Sequence, residues 1–174
     1  MAELVAPTLR LHSSWLDAHA EWGPGPHEDG FGLSPSDDVA SPAGFSRWVS
    51  RLTSASDPRT ADDPTASHCI YRWIVDGDEV LGGIALRHGD SDFIRWAGHV
   101  GYGIRPSARG RGLATWALGH MLSHARLLGM NRVLLVCDAD NKGSAATIER
   151  NGGSLESIQE TEHGPARRYW IATA

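Results

Sequence analysis

The sequence predicts a mixed α/β fold, formed by a single domain over residues 1–174. The length of 174 residues suits one domain of ordinary size. A hydrophobic content of 41% against 21% charged residues is sufficient for a buried core. Segments with the helical spacing of apolar residues alternate with short strand-like segments, in the order two helices, three strands, helix, strand, helix and two strands.

The N-terminal third is predicted to consist mainly of helix and loop. An extended start over residues 3–6 precedes residues 8–22, whose apolar spacing predicts a helix that ends at the Gly-Pro-Gly-Pro sequence of residues 23–26. Ser41 and Pro42 are typical of the N-cap and the first position of a second helix, which a polar loop follows. This region is better suited to cover a ligand than to form the centre of a sheet.

The rest of the chain is predicted to form the sheet and two more helices. Residues 70–75 and 80–87 alternate on either side of an Asp-Gly-Asp turn and therefore predict a hairpin. A third strand is predicted over residues 96–105, ending at Pro106. The later elements are a helix over 112–128 that ends at Gly129, a buried strand over 133–136, a helix over 141–151, and closing strands over 155–159 and 168–172.

Charge and composition exclude several classes of protein. The 16 Lys and Arg residues against 21 Asp and Glu give a net charge of −5, which disfavours a nucleic-acid partner. No apolar stretch approaches the roughly 20 residues of a membrane span, and the first residues have no secretory pattern. The two cysteines, Cys69 and Cys137, cannot form a disulfide framework and favour a reducing, cytoplasmic location.

An arginine- and glycine-rich segment lies between the third strand and the long helix, over residues 104–115. Gly110 and Gly112 allow a ligand to approach the backbone closely. The helix start presents unpaired N–H groups, and Arg109 and Arg111 add donors that suit phosphate oxygens. The Gly-Lys-Ser/Thr ending of a Walker loop is missing. The segment predicts a pyrophosphate site, the alternative being an ordinary helix start with two surface arginines.

The same segment resembles a motif of a known family. Arg109-x-x-Gly112-x-Ala114, which follows a strand, is similar to the pyrophosphate-binding motif of the general N-acetyltransferase (GNAT) superfamily. Asn141-x-x-Ser144 at a helix start is similar to that superfamily's second cofactor segment. The resemblance runs in order from residue 96 to residue 153. Within the superfamily, the sequence resembles a branch of predicted acetyltransferases. It implies the GNAT acyl-CoA N-acyltransferase fold, with a central, mostly antiparallel sheet and splayed parallel central strands.

The resemblance also implies an acyltransferase that uses acetyl-CoA as donor and a primary amine as acceptor. The pantetheine arm would lie between residues 103–105 and 133–137. Backbone groups near Tyr102 and Ile104 would form hydrogen bonds with its amides. The implied cofactor-binding residues are Tyr102, Gly103, Ile104, Arg109, Gly110, Arg111, Gly112, Leu113, Ala114, Thr115, Asn141 and Ser144.

Direct attack of the amine on the thioester needs a base and an acid near neutral pH. Many family members have a tyrosine as acid at the position that is Ile148 here. Ser144 and Tyr169 are the candidate acids, and His99 is the candidate base. A capping hydroxyl, a strand aromatic and a strand histidine are the respective structural alternatives. Cys137, in an apolar strand, is interpreted as a small core residue rather than an acetyl acceptor.

The acceptor is less well specified. Residues 1–90 contain 14 acidic against 6 basic residues, and Glu28 and Asp29 lie in a loop that could bind a cation, or could simply be solvated. The favoured acceptor is a small cationic metabolite or an amino-sugar or antibiotic-like amine. The alternatives are a protein or peptide N-acetyltransferase and a non-catalytic acetyl-CoA-binding regulatory module. A homodimer stays open, because dimers are common in the resembled family.

Two further groups of residues, a pair of histidines and the tryptophans, are considered as a metal site and as a base-stacking surface. His120 and His124 are four residues apart and share a helix face, but no third ligand is evident, so no metal is expected. Of the seven tryptophans, Trp15, Trp48 and Trp116 fall on predicted helices, where core packing or a dimer face is a simpler interpretation than base stacking.

Overall fold

The computed structural model describes residues 1–23, 30–57 and 68–173, which form two antiparallel sheets and five α-helices. The predicted mixed α/β fold is confirmed. The first sheet has the order β1-β2-β3-β4, with β1 (Ala2–Val5), β2 (His68–Asp76), β3 (Glu79–His88) and β4 (Val100–Ile104). The second has the order β5-β7-β6, with β5 (Arg132–Asp138), β6 (Ser154–Thr161) and β7 (Gly164–Ala172). The helices are α1 (His12–Trp22), α2 (Pro42–Ala55), α3 (Asp92–Ala97), α4 (Leu113–Leu127) and α5 (Lys142–Arg150).

Helices α1 and α2 cover one face of the first sheet through an aromatic cluster. Trp15 of α1, Trp48 of α2 and Trp73 of β2 are all at most 2% exposed. The ring centroids of Trp15 and Trp48 are 4.7 Å apart, and those of Trp48 and Trp73 are 5.9 Å apart. The predicted cap of α2 is present, because the Ser41 hydroxyl accepts a hydrogen bond from the N–H of Gly44 at 3.0 Å.

Helices α4 and α5 pack on the opposite face and form a core that both sheets share. Ile74 of β2 belongs to this core, whereas its neighbour Trp73 belongs to the aromatic cluster, as the alternation of a strand requires. Leu118 and Met121 of α4 and Leu135 of β5 are fully or almost fully buried in it. The long apolar stripe predicted for the 112–128 helix therefore faces the sheets.

The structure corrects the predicted third strand. Part of the region expected to be extended from residue 96 is the helix α3, and β4 begins only at Val100. The Ser91 hydroxyl caps α3 by accepting from the N–H of Ile94 at 3.2 Å, and Gly98 ends it with a φ of +87°. The bulky apolar residues of this short segment fit a strand as well as a single helical turn, so periodicity alone could not distinguish the two.

The two sheets meet where the residues before β4 lie beside β5. The His99 N–H donates to the Leu134 carbonyl at 2.7 Å, and Gly98 forms a β-bridge with Leu135. A Cβ atom on Gly98 would lie 2.7 Å from the Leu134 carbonyl oxygen, closer than real Cβ contacts. The close approach of the sheets therefore requires glycine at this position.

We expect Gly98→Ala to lower the free energy of unfolding by about 3 kcal/mol, since a positive φ and an overpacked contact each cost roughly 1–2 kcal/mol. Gly77→Ala is the matched control, because Gly77 has a φ of +59° and no described atom within 4 Å of the position that a Cβ would take. Urea unfolding of both variants measures the difference. Equal losses for the two variants would show that the junction tolerates a methyl group.

Candidate functional site

A cavity of about 480 Å³ lies between β4 and β5. Beyond the Gly98–Leu135 bridge, no ladder pairing joins the two strands within the described residues. Tyr102 and Ile104 line one wall of the cavity, and Val136 and Cys137 line the other. The first turns of α4 and α5 close its end. The cavity therefore separates two strands at the place where the family resemblance implied a gap.

The first turn of α4 faces this cavity without a side-chain cap. Its N-cap is Gly112, with a φ of +75°, and Trp116 is the first helical residue whose N–H bonds back to the Gly112 carbonyl. The N–H groups of residues 113–115 are thus the unpaired donors of a helix start, and all three residues line the cavity. By contrast, α5 is capped by Asn141, whose side-chain oxygen accepts from Ser144 N–H at 3.0 Å. The uncapped turn is suited to bind an anion.

Most of the predicted cofactor-binding residues come together around the cavity. Those that line it are Tyr102, Ile104, Arg109, Gly110, Gly112, Leu113, Ala114, Thr115, Asn141 and Ser144. Gly103 and Arg111 are not among the residues that line it. Gly103 instead pairs with Gly83 of β3, and Arg111 is exposed. The roles of all twelve residues in binding the cofactor stay predictions.

A small polar cluster lies inside the cavity. The hydroxyl oxygens of Tyr102 and Ser144 are 2.7 Å apart, although the residues are 42 positions apart in sequence. Burial raises the pKa of the Cys137 thiol, and a hydrogen bond with Ser144 opposes that rise only in part. The thiol is therefore held protonated, which suits the interpretation of Cys137 as a packing residue. The contact between Tyr102 and Ser144 was not anticipated from the sequence.

The other two catalytic candidates do not line the cavity. Tyr169 is 1% exposed, and its hydroxyl donates to Glu149 Oε1 at 2.9 Å. His99 accepts the N–H of Leu134 on its Nδ1 at 2.9 Å, so the neutral ring carries its proton on Nε2. Burial lowers the pKa of His99. The geometry favours the structural alternatives for both residues, a core aromatic and a strand histidine that joins the two sheets.

Both residues predicted for the acceptor site, Glu28 and Asp29, lie outside the described residues. Ile148, at the position of the family's tyrosine, is 1% exposed and lines the cavity without supplying a proton. His120 and His124 lie on α4, where His124 Nδ1 is 3.1 Å from the His120 carbonyl oxygen. Among the described residues, no group of three or more His, Cys, Asp or Glu side chains is placed to hold a metal ion.

An ion pair links α1 to the segment that leads into the cavity. Arg105, which is 8% exposed, donates from Nε to Glu21 Oε1 at 2.8 Å and from Nη1 to the Val80 carbonyl at 3.1 Å. The N–H of Ser107 donates to the other Glu21 carboxyl oxygen at 3.0 Å. These bonds, first from Arg105 and then from Ser107, lower the pKa of Glu21 to about 2. The turn between β4 and α4 is thereby fixed to the N-terminal helices.

A family model of the acetyltransferase (GNAT) domain matches residues 10–154. The chain belongs to the GNAT acetyltransferase family. The resemblance in the Arg109-x-x-Gly112 and Asn141-x-x-Ser144 segments is thus confirmed, and the protein is an acyltransferase. No curated protein is significantly similar to this GNAT acetyltransferase in sequence.

Solved structures agree with this assignment at the level of the fold. The microcin self-immunity acetyltransferase MccE, in complex with acetyl-CoA and AMP, is 17% identical with a TM-score of 0.68, covering 98% of this chain and 92% of its own. RimJ from Mycobacterium smegmatis, in complex with CoA-disulfide, is 16% identical with a TM-score of 0.74. The match covers 98% of this chain and 81% of the RimJ chain. The third structure is a Salmonella typhimurium acetyltransferase that modifies the N-terminal serine of a 50S ribosomal subunit protein. It is 18% identical with a TM-score of 0.67, and the match covers 98% of this chain and 94% of the Salmonella chain. The predicted GNAT fold is confirmed.

The helices of the described residues are too short to span a membrane. The longest of its helices, α4, has 15 residues, fewer than the roughly 20 needed to cross the hydrocarbon core. Within residues 1–23, 30–57 and 68–173, no helix combines the length and the apolar character of a membrane span.

Proposed function

We propose that this GNAT acetyltransferase transfers the acetyl group of acetyl-CoA directly to a primary amine. The observation that carries the proposal is the cavity between β4 and β5, which the uncapped start of α4 closes. The N–H groups of residues 113–115 and the side chain of Arg109 would hold the diphosphate. The edge of β4 that faces the cavity, opposite its pairing with β3, offers backbone groups for the amides of the pantetheine arm.

Acetyl-CoA supplies the thioester, and the chain orients it and manages protons. Attack by the amine nitrogen on the carbonyl carbon forms the amide, the carbon–sulfur bond breaks, and the departing thiolate needs one proton. Ser144, in the cavity and 2.7 Å from the Tyr102 hydroxyl, is the proposed donor to that thiolate. Tyr102 would act as a positioning residue that holds the Ser144 hydroxyl. The proton released by the amine passes to solvent. Solvent returns one proton to the Ser144 oxygen as the serine gives its own to the sulfur, so that the products are the amide and free CoA thiol and Ser144 is again a hydroxyl.

We expect Ser144→Ala to lower kcat about 100-fold, the usual contribution of a positioned acid, whereas CoA affinity should fall less than about fivefold, because Ser144 is only one of the predicted cofactor-binding residues. Ser144→Thr keeps a hydroxyl and should recover most of the rate. Steady-state kinetics and calorimetric CoA titration measure the two effects separately. A normal kcat in Ser144→Ala would assign the proton to water and leave the serine as a helix residue.

The acceptor in the proposal is an amine of a small cationic molecule or the amine of a peptide or protein. The acidic N-terminal half of the chain supports the first. The second is supported by similarity to the Salmonella enzyme whose target is an N-terminal serine. A cytoplasmic enzyme that acts without metal, as a monomer or a homodimer, completes the proposal as an expectation from the sequence.

Release of free thiol from acetyl-CoA tests the proposal directly. The acceptor panel contains polyamines, amino-sugar antibiotics and peptides with free N-termini, and acetylated products are identified by mass spectrometry. Thiol release that depends on one acceptor class supports the enzyme. If acetyl-CoA raises the melting temperature but no member of a broad panel releases thiol, the chain is a binding module instead.

A further inference from the structure

A second cavity, of about 280 Å³, lies next to the cavity between β4 and β5, which we call the cofactor cavity because acetyl-CoA is proposed to bind there. We call it the α3 groove, because α3 forms one wall and strands β6 and β7 form the other. Val136 lines both cavities. Likewise, the consecutive residues Trp96 and Ala97 line the α3 groove and the cofactor cavity, respectively. A group bound in the groove beside Val136 is therefore a single side chain away from the cofactor cavity.

Each arginine that lines the α3 groove is paired with carboxylates. Arg95 of α3 binds Asp90 at 2.8 Å and Asp92 at 3.0 Å. Arg168 of β7 contacts Glu156 of β6 at 3.3 Å. A polyamine would need an excess of unpaired carboxylates, and a free carboxylate ligand would need an unpaired guanidinium. The described residues of the groove provide neither, so a ligand with strong net charge is disfavoured.

What the groove does offer is directional hydrogen bonding. The Arg168 side chain is 17% exposed; its Nε faces Glu156, and its Nη1 donates to the Arg95 carbonyl at 2.8 Å. Its Nη2 has no hydrogen-bond partner among the described residues. The side-chain oxygen of Gln159 likewise accepts no hydrogen bond from them, since only its Nε2 is engaged, by Ser157. One donor and one acceptor are thus available on neighbouring strands.

The rest of the groove is apolar. Val136 and the 7%-exposed Ala166 form its floor, and the half-exposed indole of Trp96 forms a wall. A neutral groove with an apolar floor, one free donor and one free acceptor matches the backbone of a short extended peptide, whose carbonyl and N–H groups are neutral. Its first side chain would pack on the indole.

We propose that the α3 groove binds the N-terminal residues of a polypeptide acceptor and directs its α-amine past Val136 towards the cofactor cavity. Arg168 donates from Nη2 to a backbone carbonyl of the acceptor, and Trp96 packs against its first side chain. The inference rests on the proposed function and narrows it, since it selects the peptide α-amine over the small cationic amine.

The kinetic test uses pentapeptides Xaa-Ala-Ala-Ala-Tyr with each residue type in the first position, compared with the matching amino-acid amides and with spermidine. Arg168→Gln and Trp96→Ala are expected to raise the peptide KM at least tenfold, while the acetyl-CoA KM stays within twofold. Arg126→Gln and Leu127→Ala are the controls, because both residues are exposed on α4, and neither lines a described cavity. Melting temperatures identify any variant that fails to fold.

Equal peptide KM values in the wild type and in both folded groove variants would overturn the inference. So would turnover confined to spermidine or other non-peptide amines. If no amine is acetylated although CoA binds, the proposed function fails, and the groove is then judged by photo-crosslinking. For that purpose a pentapeptide with benzoylphenylalanine in the third position is irradiated with the CoA-bound protein. Labelling on α3, β6 or β7 supports the groove, and labelling elsewhere, or none above that of an N-acetylated peptide, overturns it.

Discussion

Gly112→Asp is expected to weaken CoA binding by about 100-fold or more. The substitution places a carboxylate at the uncapped start of α4, where it accepts the N–H groups that would otherwise meet the diphosphate. A charge-assisted hydrogen bond contributes roughly 1.5–3 kcal/mol, so losing one and adding repulsion accounts for about two decades in Kd. Calorimetric titration with CoA measures the change directly.

Two controls separate charge from backbone strain. Gly129, just beyond the other end of α4, also has a φ of +75° and no described atom within 4 Å of the position that a Cβ would take. Gly129→Asp therefore imposes similar strain and the same charge far from the cavity, and it should bind CoA normally. Gly112→Ala should lose only a few-fold in affinity, because it keeps the N–H groups free. Normal CoA affinity in Gly112→Asp would place the diphosphate elsewhere and remove the basis of the site.

Arg105→Met is expected to lower the free energy of unfolding by about 2 kcal/mol, because hydrogen bonds to charged groups contribute roughly 1.5–3 kcal/mol and the Glu21 side chain is only partly buried. Arg105 is 8% exposed, and its guanidinium donates hydrogen bonds to both the Glu21 carboxylate and the Val80 carbonyl. Without it, the Glu21 carboxylate keeps its bonds from Ser107 but loses its counter-charge. Since residues 106–112 follow directly, we also expect weaker CoA binding. Unfolding in urea measures the stability loss, and an Arg126→Met variant controls for removal of an exposed arginine.

The same ion pair predicts a sensitivity to acid. The pKa of Glu21 is lowered to about 2 in the folded protein, against roughly 4.3 for an unperturbed glutamate. The unfolded chain therefore binds the proton more readily, so the stabilisation is complete above about pH 4.5 and is lost as the pH falls towards 2. In Glu21→Gln this component is absent. The difference in melting temperature between the wild type and Glu21→Gln should shrink over that range, and a difference independent of pH would contradict the assignment.

The sequence predicted the parts of the fold that local patterns determine. The cap at Ser41 with Pro42, the hairpin around Gly77 and the long apolar stripe of α4 all occur where expected. The short helix α3 was missed, because six residues are too few for a helical period to be recognised. The Ser91 cap and Gly98 as terminator were the available signals, but each is also common in a loop before a strand.

The candidate site also has features that a local sequence pattern predicts and features that depend on how distant elements pack. The prediction of anion binding at residues 109–115 rests on glycines, arginines and a helix start in one short segment, so it could be made from the sequence alone. The contact between Tyr102 and Ser144 joins β4 to α5 and depends on how the two elements pack, so no local pattern reveals it. For the same reason, the sequence could not show that Tyr169 is sealed in the core or that the His99 ring is engaged by Leu134.

If the bare first turn of α4 binds the cofactor as proposed, the persistence of the enzyme depends on the supply of that ligand. A cofactor that binds only the folded chain stabilises it by RT ln(1 + [L]/Kd), about 2.7 kcal/mol at a free concentration 100 times Kd. Because such a change lowers the unfolded fraction about 100-fold, cleavage by proteases that attack unfolded chains slows in proportion. A scarcity of the cofactor would then reduce not only the rate of the reaction but also the amount of enzyme that survives to perform it.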